Sequence, residues 1–207
     1  MALELYSWPY SSGSRITWAL EELGVEYKYI ELDAKKGEHR AAAYLEIHPN
    51  GKVPALVDGN QKFFEAVAIL VHLAHKYAVD RGLWPAAGTV ERAEALSWTI
   101  WSGTELSPHM MQFIYHATDS PFSYKPEDRS AAAAAYDKSQ LDRSLAALER
   151  CFGNREYLTG ASFTLADVAV ASALNFGAMC GVSLSDFPKT AAWVKRCTDR
   201  PARARAK

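Results

Sequence analysis

The chain has 207 residues, of which 49% are hydrophobic and 23% charged, and its formal net charge is −1 at pH 7. This length allows one large or two small domains with real hydrophobic cores. The 23 basic and 24 acidic residues nearly balance, so neither nucleic acid nor an acidic membrane is an expected partner. No apolar run is long enough to span a bilayer and no secretory leader precedes the first strand, so we expect a cytoplasmic protein.

The cysteine pattern argues against a disulfide framework. Cys151, Cys180 and Cys197 are odd in number and widely spaced, with no C-x-x-C pair, so neither disulfides nor a zinc site is expected. His72 and His75 lie three residues apart without a visible third ligand, so no metal site is predicted there. All three thiols lie in the second half, so thiol chemistry in the first half requires a thiol from elsewhere.

Hydrophobic periodicity in the first 77 residues predicts the element order β-α-β-α-β-β-α. Strand, helix and strand in succession imply a parallel strand pair with a right-handed crossover. We therefore predict a thioredoxin-like α/β domain at residues 1–77. Its predicted elements are, in chain order, Leu3–Tyr6, Ile16–Leu23 with a stop at Gly24, Glu26–Leu32, Glu38–Glu46, two strands joined by a turn at Asp58-Gly59, and a helix from Ala66 to about Tyr77.

Glycine and proline residues then break the pattern, and we predict a linker at residues 78–88. Everything after it has helical spacing, so residues 89–207 are predicted to form an all-α domain. A basic tail of Arg203, Arg205 and Lys207 is expected to be solvated. The predicted helices are Val90–His116 with an interruption at Pro108, Pro126–Cys151, a buried helix from the capping box Thr164–Asp167 to about Met179, and a last helix after Ser185 that ends before Pro201.

Two segments carry a resemblance to a known family. Residues 50–56 (NGKVPAL) and 64–70 (FEAVAIL) resemble the glutathione-binding half of a cytosolic glutathione transferase, and the element order extends the resemblance over nearly the whole chain. The resemblance is to serine-type enzymes of a theta-like, zeta-like or bacterial class. It implies a cis Val53-Pro54 bond and a Val53 backbone that pairs with the cysteinyl part of glutathione. Where the family has an acidic residue and a serine, this chain has Glu65-Ala66, so one hydroxyl is missing.

The loop of residues 11–14 lies between the first strand and the first helix, where hydroxyl and backbone N–H groups point at a bound anion. A serine cluster before a helix is also typical of simple N-capping. The resemblance implies Ser11 as the catalytic serine, since it stands four residues before Arg15. Ser12 and Tyr10 remain the alternatives, and Ser14 is predicted to be the helix cap.

The resemblance also implies how the ends of glutathione are held. His39 and Lys52 match the positions that bind the glycine carboxylate, and Glu65 matches the residue that pairs with the γ-glutamyl ammonium. From the residues alone, His39 is a surface residue, Lys52 a turn lysine and Glu65 a first-turn acid. Ala66 keeps its N–H for the γ-glutamyl carboxylate but lacks a side-chain bond worth about 1.5–3 kcal/mol.

A second substrate is expected in a pocket lined by both domains. The candidate residues are aromatic, apolar or, in one case, acidic, and an aromatic and methionine face of this kind is also typical of an ordinary core. They are Trp8, Tyr10, Trp101, Glu105, Pro108, Met111 and Tyr115.

The resemblance implies a detoxifying glutathione transferase, which uses glutathione as co-substrate and no metal. It would form the glutathione thiolate and add it to an electrophilic, mostly apolar substrate. A homodimer is expected on the same ground. The alternatives are a glutathione-dependent isomerase, lyase or dehalogenase, and a non-catalytic binding module that Ala66 favours. A glutaredoxin-type enzyme is disfavoured because no cysteine occupies the loop.

Overall fold

The computed structural model describes residues 3–207, which divide into two compact units. The first unit contains the described residues up to Trp84 together with Pro201–Lys207, and the second is Pro85–Arg200. The prediction assigns residues 78–88 to a linker and 201–207 to the helical domain, whereas in the structure the first unit reaches Trp84 and includes Pro201–Lys207.

The first unit is built on a four-stranded sheet. Its strands are β1 (Leu3–Ser7), β2 (Tyr27–Glu31), β3 (Ala55–Asp58) and β4 (Gln61–Phe64), in the spatial order β2-β1-β3-β4. β1 pairs with β2 in parallel, whereas β3 runs antiparallel to both β1 and β4. This mixed sheet is the thioredoxin-like arrangement that the element order predicts.

The described α-helices are numbered along the chain. They are α1 (Ser14–Leu23), α2 (Ala42–Leu45), α3 (Ala66–Leu73), α4 (Val90–Trp101), α5 (Ser107–Ala117), α6 (Ala131–Cys151), α7 (Leu165–Met179), α8 (Pro188–Thr198) and α9 (Pro201–Arg205). Turns of 3₁₀-helix occupy Glu38–Arg40, Val79–Arg81 and Pro126–Asp128, and π-helical turns occupy Ala74–Ala78 and Ser102–Leu106.

Helix α1 is buried on more than one side, since Ile16, Trp18 and Leu20 are all fully inaccessible to solvent and the helix contacts both α3 and α9. It ends at Gly24, whose φ of 60° is left-handed and therefore costs glycine little. The helix stop predicted at Gly24 is confirmed.

In the second unit the predicted helix Val90–His116 is two helices. A π-helical turn at Ser102–Leu106 joins α4 to α5, and Pro108 lies in the first turn of α5. Proline has no N–H to donate, and it is tolerated in the first turn of a helix because an N–H there would have no acceptor within the helix. The predicted interruption of the helix is present, but it lies at Ser102–Leu106, just before Pro108.

The start predicted for the next helix is wrong. Pro126–Asp128 forms only a 3₁₀ turn, and α6 begins at Ala131 after Ser130, whose hydroxyl accepts from the Ala133 N–H at 3.2 Å. A hydroxyl cap at this position stabilises a helix start by about 1 kcal/mol, which locates the boundary.

The predicted capping box is present at the start of the buried helix α7. The Asp167 carboxylate accepts from the Thr164 N–H at 2.8 Å, from the Leu158 N–H at 2.9 Å and from Trp193 Nε1 at 3.0 Å. Burial raises the pKa of Asp167 to about 6, although these donors act in the opposite direction. This carboxylate therefore ties three segments of the helical unit together.

The side chains of Arg205 and Lys207 are exposed, as expected of a solvated tail, but the tail also packs on the first unit. Ala202 is buried, and the Arg205 guanidinium lies 3.0 Å from Glu21 Oε2 on α1. No helix of the described residues is long and apolar enough to cross a membrane.

Candidate functional site

The backbone at Val53 lies at the entrance to β3. The Val53-Pro54 peptide bond is cis, as the resemblance implies. Within residues 3–207 the Val53 N–H has no hydrogen-bond partner, and the Val53 carbonyl receives only a long bond of 3.4 Å from Ser12 Oγ. An unpaired N–H beside a weakly bonded carbonyl is the arrangement that lets an extended peptide pair with a strand.

The Ser11 hydroxyl is fully engaged within its own loop. It donates to the Trp8 carbonyl at 2.7 Å and accepts from the Gly13 N–H at 3.1 Å. Ser7 Oγ lies 2.9 Å away, and because the one Ser11 proton is assigned to the Trp8 carbonyl, we assign Ser7 as the donor of this pair. A hydroxyl has one proton and two lone pairs, so these three bonds use its whole capacity.

The two alternatives to Ser11 are exposed. Ser12 makes only the long bond to the Val53 carbonyl. Tyr10 is 69% exposed and has a φ of 61°, a left-handed conformation that is uncommon for a residue with a side chain. Of the three candidate hydroxyls, only that of Ser12 therefore has a hydrogen bond to the Val53 backbone among the described residues.

The N-terminus of α1 has no side-chain cap. Its N-cap residue is Gly13, and Ser14 is the first helical residue, so the prediction of Ser14 as cap is wrong. A Cβ added at Gly13 would lie 1.9 Å from Ser7 Oγ, so no larger residue fits between the loop and β1. The N–H groups of Ser14, Ile16 and Thr17 already donate to carbonyls of the loop and first turn, so among the described residues the Arg15 N–H and the positive end of the helix dipole remain available to an anion.

Arg15 lies in the first turn of the same helix. Burial lowers the pKa of its guanidinium to about 10, which still leaves it charged at neutral pH.

The start of α3 also lacks a side-chain cap. Glu65 occupies its N-cap position at φ 69° and ψ 121°, makes no capping bond and is exposed. A residue with a side chain in this conformation costs about 1–3 kcal/mol, and such strain is concentrated at functional sites. Ala66 follows as the first helical residue. The sequence indicated the helix start but not the strain.

His39 and Lys52 lie near each other, on either side of Gly51. The His39 ring is 5.5 Å from the Trp8 ring, and a Cβ at Gly51 would lie 2.8 Å from the His39 carbonyl. His39 Nε2 accepts from Arg40 Nε at 3.2 Å. The Lys52 side chain is exposed, and its carbonyl accepts from the Tyr44 hydroxyl at 2.5 Å.

The strand register connects these parts. Ala55 pairs with Phe64, so the residues just before β3 and just after β4 share one end of the sheet. The His48 ring, 5.1 Å from the Phe64 ring, fills the space behind them. Burial lowers the pKa of His48, although the nearby Glu65 charge opposes the shift. The structure thus brings the predicted glutathione-binding residues of the first unit to one end of its sheet.

The residues predicted for a second-substrate pocket are described within each unit. In the first, Trp8 packs on the core cluster of Leu32, Tyr44 and Ala55, while Tyr10 is exposed. In the second, the Trp101 ring is 5.1 Å from Trp98 and the Tyr115 ring is 5.0 Å from Tyr124; Glu105 and Pro108 are exposed and Met111 is half-buried. The pocket itself stays a prediction.

Sequence reasoning missed Ser7. It occupies an inward position of β1, in line with Leu3 and Leu5, and is 1% exposed. A polar residue on the apolar face of an alternating strand indicates a local hydrogen-bonding role, and this residue supports the loop through Ser11.

No group of three or more metal-ligating side chains is found among residues 3–207. His72 Nε2 instead lies 2.7 Å from Asp58 Oδ2, which also accepts from Lys76 and Tyr77.

Comparisons with known proteins agree with this geometry. The N-terminal domain model of the glutathione S-transferase family matches residues 1–75, and its C-terminal domain model matches residues 107–201. The disulfide-bond oxidoreductase YfcG of Escherichia coli is 30% identical over 99% of this chain and 94% of its own. Glutathione S-transferase F10 of Arabidopsis thaliana is 31% identical over 82% and 78%.

A solved structure gives the same result in three dimensions. The glutathione transferase URE2P6 of Phanerochaete chrysosporium, in complex with oxidized glutathione, has a TM-score of 0.85 and 31% identity, and the match covers 98% of this chain and 93% of that one. Both halves of the fold and most of the sequence are thus accounted for. The chain belongs to the glutathione S-transferase family.

Proposed function

We propose that this chain binds glutathione at the first unit's sheet end and activates its thiol as a thiolate for attack on an electrophilic, mostly apolar substrate. The observation that carries the proposal is the uncapped N-terminus of α1 beside Ser12 and the unpaired Val53 N–H. The complex of the similar transferase with oxidized glutathione supports glutathione as the ligand.

The energetics are adequate. A free thiol has a pKa of about 8.5, and lowering it by about two units requires about 2.7 kcal/mol of differential stabilisation. A hydrogen bond to a charged group contributes about 1.5–3 kcal/mol, and a helix N-terminus adds about 0.3–1 kcal/mol. One hydroxyl and the start of α1 can therefore supply the shift together.

We assign the hydroxyl to Ser12. Ser11 would have to give up its 2.7 Å bond to the Trp8 carbonyl before it could donate to a thiolate. Ser12 would give up only a 3.4 Å bond, and to Val53, the residue whose backbone would hold the cysteinyl group. Ser11 then serves to shape the loop.

The remaining contacts follow from charge and position. Lys52 is exposed beside Val53 and suits the glycine carboxylate, with His39 next to it across Gly51. Glu65 suits the γ-glutamyl ammonium, and the free Ala66 N–H at the start of α3 suits the γ-glutamyl carboxylate.

The test is a titration of glutathione into the protein, with thiolate absorbance in the ultraviolet followed across pH. For the wild type we expect thiolate well below the pKa of the free thiol. Ser12→Ala should raise the pKa of the bound thiol by about 1–2 units, because one charged hydrogen bond is lost. Ser139→Ala, an exposed serine on α6, is the matched control.

Other outcomes separate the alternatives. Thiolate that persists in Ser12→Ala but disappears in a folded Ser11→Ala would return the role to Ser11. Glutathione bound only as thiol would favour the non-catalytic module, and a wild type without glutathione binding would contradict the proposal.

A second candidate is glutathione-dependent disulfide reduction, favoured by the similarity to the disulfide-bond oxidoreductase YfcG. The bound thiolate would attack one sulfur of a disulfide and release the other as a thiolate that takes up a proton. A second glutathione thiolate would then attack the glutathionyl sulfur, giving oxidized glutathione and the second product thiol. No cysteine lies in the first half, so both thiols would be those of glutathione. Consumption of a small dialkyl disulfide in preference to an electrophile would distinguish the two reactions.

The finer expectations are also proposals. We propose a serine-type enzyme that acts in detoxification in the cytoplasm as a homodimer, on the resemblance alone. Sedimentation of the purified chain tests the dimer directly.

A further inference from the structure

The C-terminal end of α1 lacks the charge that a helix end prefers. Its last turn carries Glu21 and Glu22 and no basic residue. Negative charge at a helix C-terminus is unfavourable, because the helix dipole already places partial negative charge there. A cation for this end must come from another part of the chain.

Helix α9 supplies that cation. Arg205 Nε lies 3.0 Å from Glu21 Oε2, and Arg205 Nη2 lies 3.5 Å from the Glu21 carbonyl. This carbonyl is among the last four of α1, which have no regular partner within the helix. Arg205 therefore neutralises the acidic side chain and contacts the helix end at the same time.

The chain then runs back along α1 toward its N-terminus. The fully buried Thr17 hydroxyl donates to the Lys207 backbone oxygen at 2.8 Å, and it lies 3.0 Å from the Ser14 carbonyl in the first turn. Arg203 lies 5.7 Å from the Trp18 ring centroid, and Lys207 Nζ lies 4.5 Å from that of Tyr29 on β2. Contacts thus extend from the last turn of α1 to its first.

We propose that residues 201–207 form a positioning segment for the glutathione site. They hold α1 at its C-terminal end and at Thr17, and thereby fix the uncapped N-terminus and the Ser12 loop against the Val53 backbone. The segment lies almost entirely outside both family domain models, which cover residues 1–75 and 107–201. This inference rests on the proposed function, since it names what positions the thiol.

The reason for such a segment is the short length of α1. A helix of ten residues is marginal in water by itself and depends on packing for its stability. The first turn of α1 also lacks the side-chain cap that usually prevents fraying. The contacts of residues 201–207 with Glu21 and Thr17 compensate for the missing cap, and they leave the N-terminal end of α1 open to an anion.

The experiment uses the full chain and two independent breaks in the segment. Arg205→Glu places two acids together at the end of α1, and the double variant Arg205→Glu with Glu21→Arg restores the pair. Thr17→Val removes the buried donor at nearly constant volume, and Thr17→Ser keeps it. Arg143→Glu, on the exposed face of α6, is the matched charge reversal.

The measurements are the glutathione dissociation constant and the pKa of the bound thiol, taken well below the unfolding temperature of every variant. We expect Arg205→Glu and Thr17→Val each to weaken glutathione binding threefold to tenfold and to raise the thiol pKa. The double variant and Thr17→Ser should return to within twofold of the wild type, and Arg143→Glu should not differ from it.

A merely structural tail gives a different result. If both breaks lower the unfolding temperature but leave the dissociation constant and the thiol pKa unchanged, the segment only stabilises the fold and this inference is overturned. If the wild type itself binds no glutathione, the proposed function fails and the inference falls with it, so the wild-type titration distinguishes the two failures.

Discussion

The two units differ in how the N-termini of their helices are capped. In the second unit, side chains accept hydrogen bonds from backbone N–H groups at the starts of α4, α6, α7 and α8, and we call these closed starts; α5 is left out because it continues directly from a π-helical turn. The accepting residues are, in that order, Thr89, Ser130, Asp167 and Glu149. In the first unit α1 and α3 begin at Gly13 and Glu65 with no side-chain cap, and we call these open starts. The four-residue helix α2 is also uncapped, at Ala41, but among the longer helices of this unit the uncapped starts of α1 and α3 lie at the sheet end where an external anion is expected.

The largest effect is expected when the capping side chain of a closed start is removed. Asp167→Ala would leave the Leu158 N–H, the Thr164 N–H and Trp193 Nε1 without their buried acceptor. Each such loss costs about 1–3 kcal/mol, so we expect the free energy of unfolding to fall by about 3–4 kcal/mol in urea titrations. A loss below about 1 kcal/mol would contradict the role assigned to this carboxylate.

The same residue predicts a pH dependence. Its pKa is raised to about 6 in the folded state by burial, against about 3.9 when unfolded, so the folded state holds the proton more tightly. Its contribution is therefore most favourable below pH 4 and is lost as pH rises through about 6, by up to about 3 kcal/mol. The difference in unfolding free energy between wild type and Asp167→Asn should follow this curve.

At an open start the expected effect is on ligand binding. Ala66→Ser places a hydroxyl at the first residue of α3, beside the N–H proposed for the γ-glutamyl carboxylate. One hydrogen bond to a charged group is worth about 1.5–3 kcal/mol, so glutathione should bind about tenfold to a hundredfold more tightly in calorimetry. Ala68→Ser, exposed on the same helix, is the control and should leave the affinity unchanged.

Glu149 offers a smaller test of a closed start. Its carboxylate accepts from the backbone N–H groups of Lys189 and Thr190 at 3.0 and 2.9 Å, at the beginning of α8. Burial acts to raise the pKa of Glu149, but these hydrogen bonds lower it overall. Glu149→Gln should destabilise the protein by about 1 kcal/mol at neutral pH, and the difference should vanish as pH falls through the pKa of the carboxyl. Equal stabilities at neutral pH would contradict the capping role.

The closed starts were the more predictable from sequence. Thr164 and Asp167 stand at the spacing of a capping box, a local pattern that needs no tertiary information. The Glu149 cap was missed, because its carboxylate reaches a helix start forty residues later in the chain. Element order and the parallel β1–β2 pair followed from periodicity, since burial on one face imposes it directly.

The hydrogen bonds around the uncapped helix starts were less predictable, because spacing alone does not say which of several neighbouring hydroxyls is already bonded. Spacing and resemblance point to Ser11, but only the structure shows that its hydroxyl bonds to Trp8 and Gly13, whereas the Ser12 hydroxyl makes only a long bond to the Val53 carbonyl. The attachment of the basic tail could not be predicted from local patterns, because the partner of Arg205 is Glu21, 184 positions away. Local patterns therefore specify the helices and most of their caps, whereas the Glu149 cap and the Arg205–Glu21 pair depend on contacts distant in sequence.

The smallest expected effect concerns the strain at the second open start. Glu65 holds a φ of 69° with a side chain present, and only glycine adopts such a conformation freely. Glu65→Ala removes the carboxylate but keeps the Cβ, whereas Glu65→Gly removes both. We expect the glycine variant to be more stable than the alanine variant by about 1 kcal/mol in urea unfolding, with glutathione binding weakened equally in the two. Equal stabilities would mean that α3 relaxes at its first residue, and the open start would then not be rigidly held. A stability gain confined to glycine would mean that the fold maintains a strained backbone at the point where the γ-glutamyl group is proposed to bind.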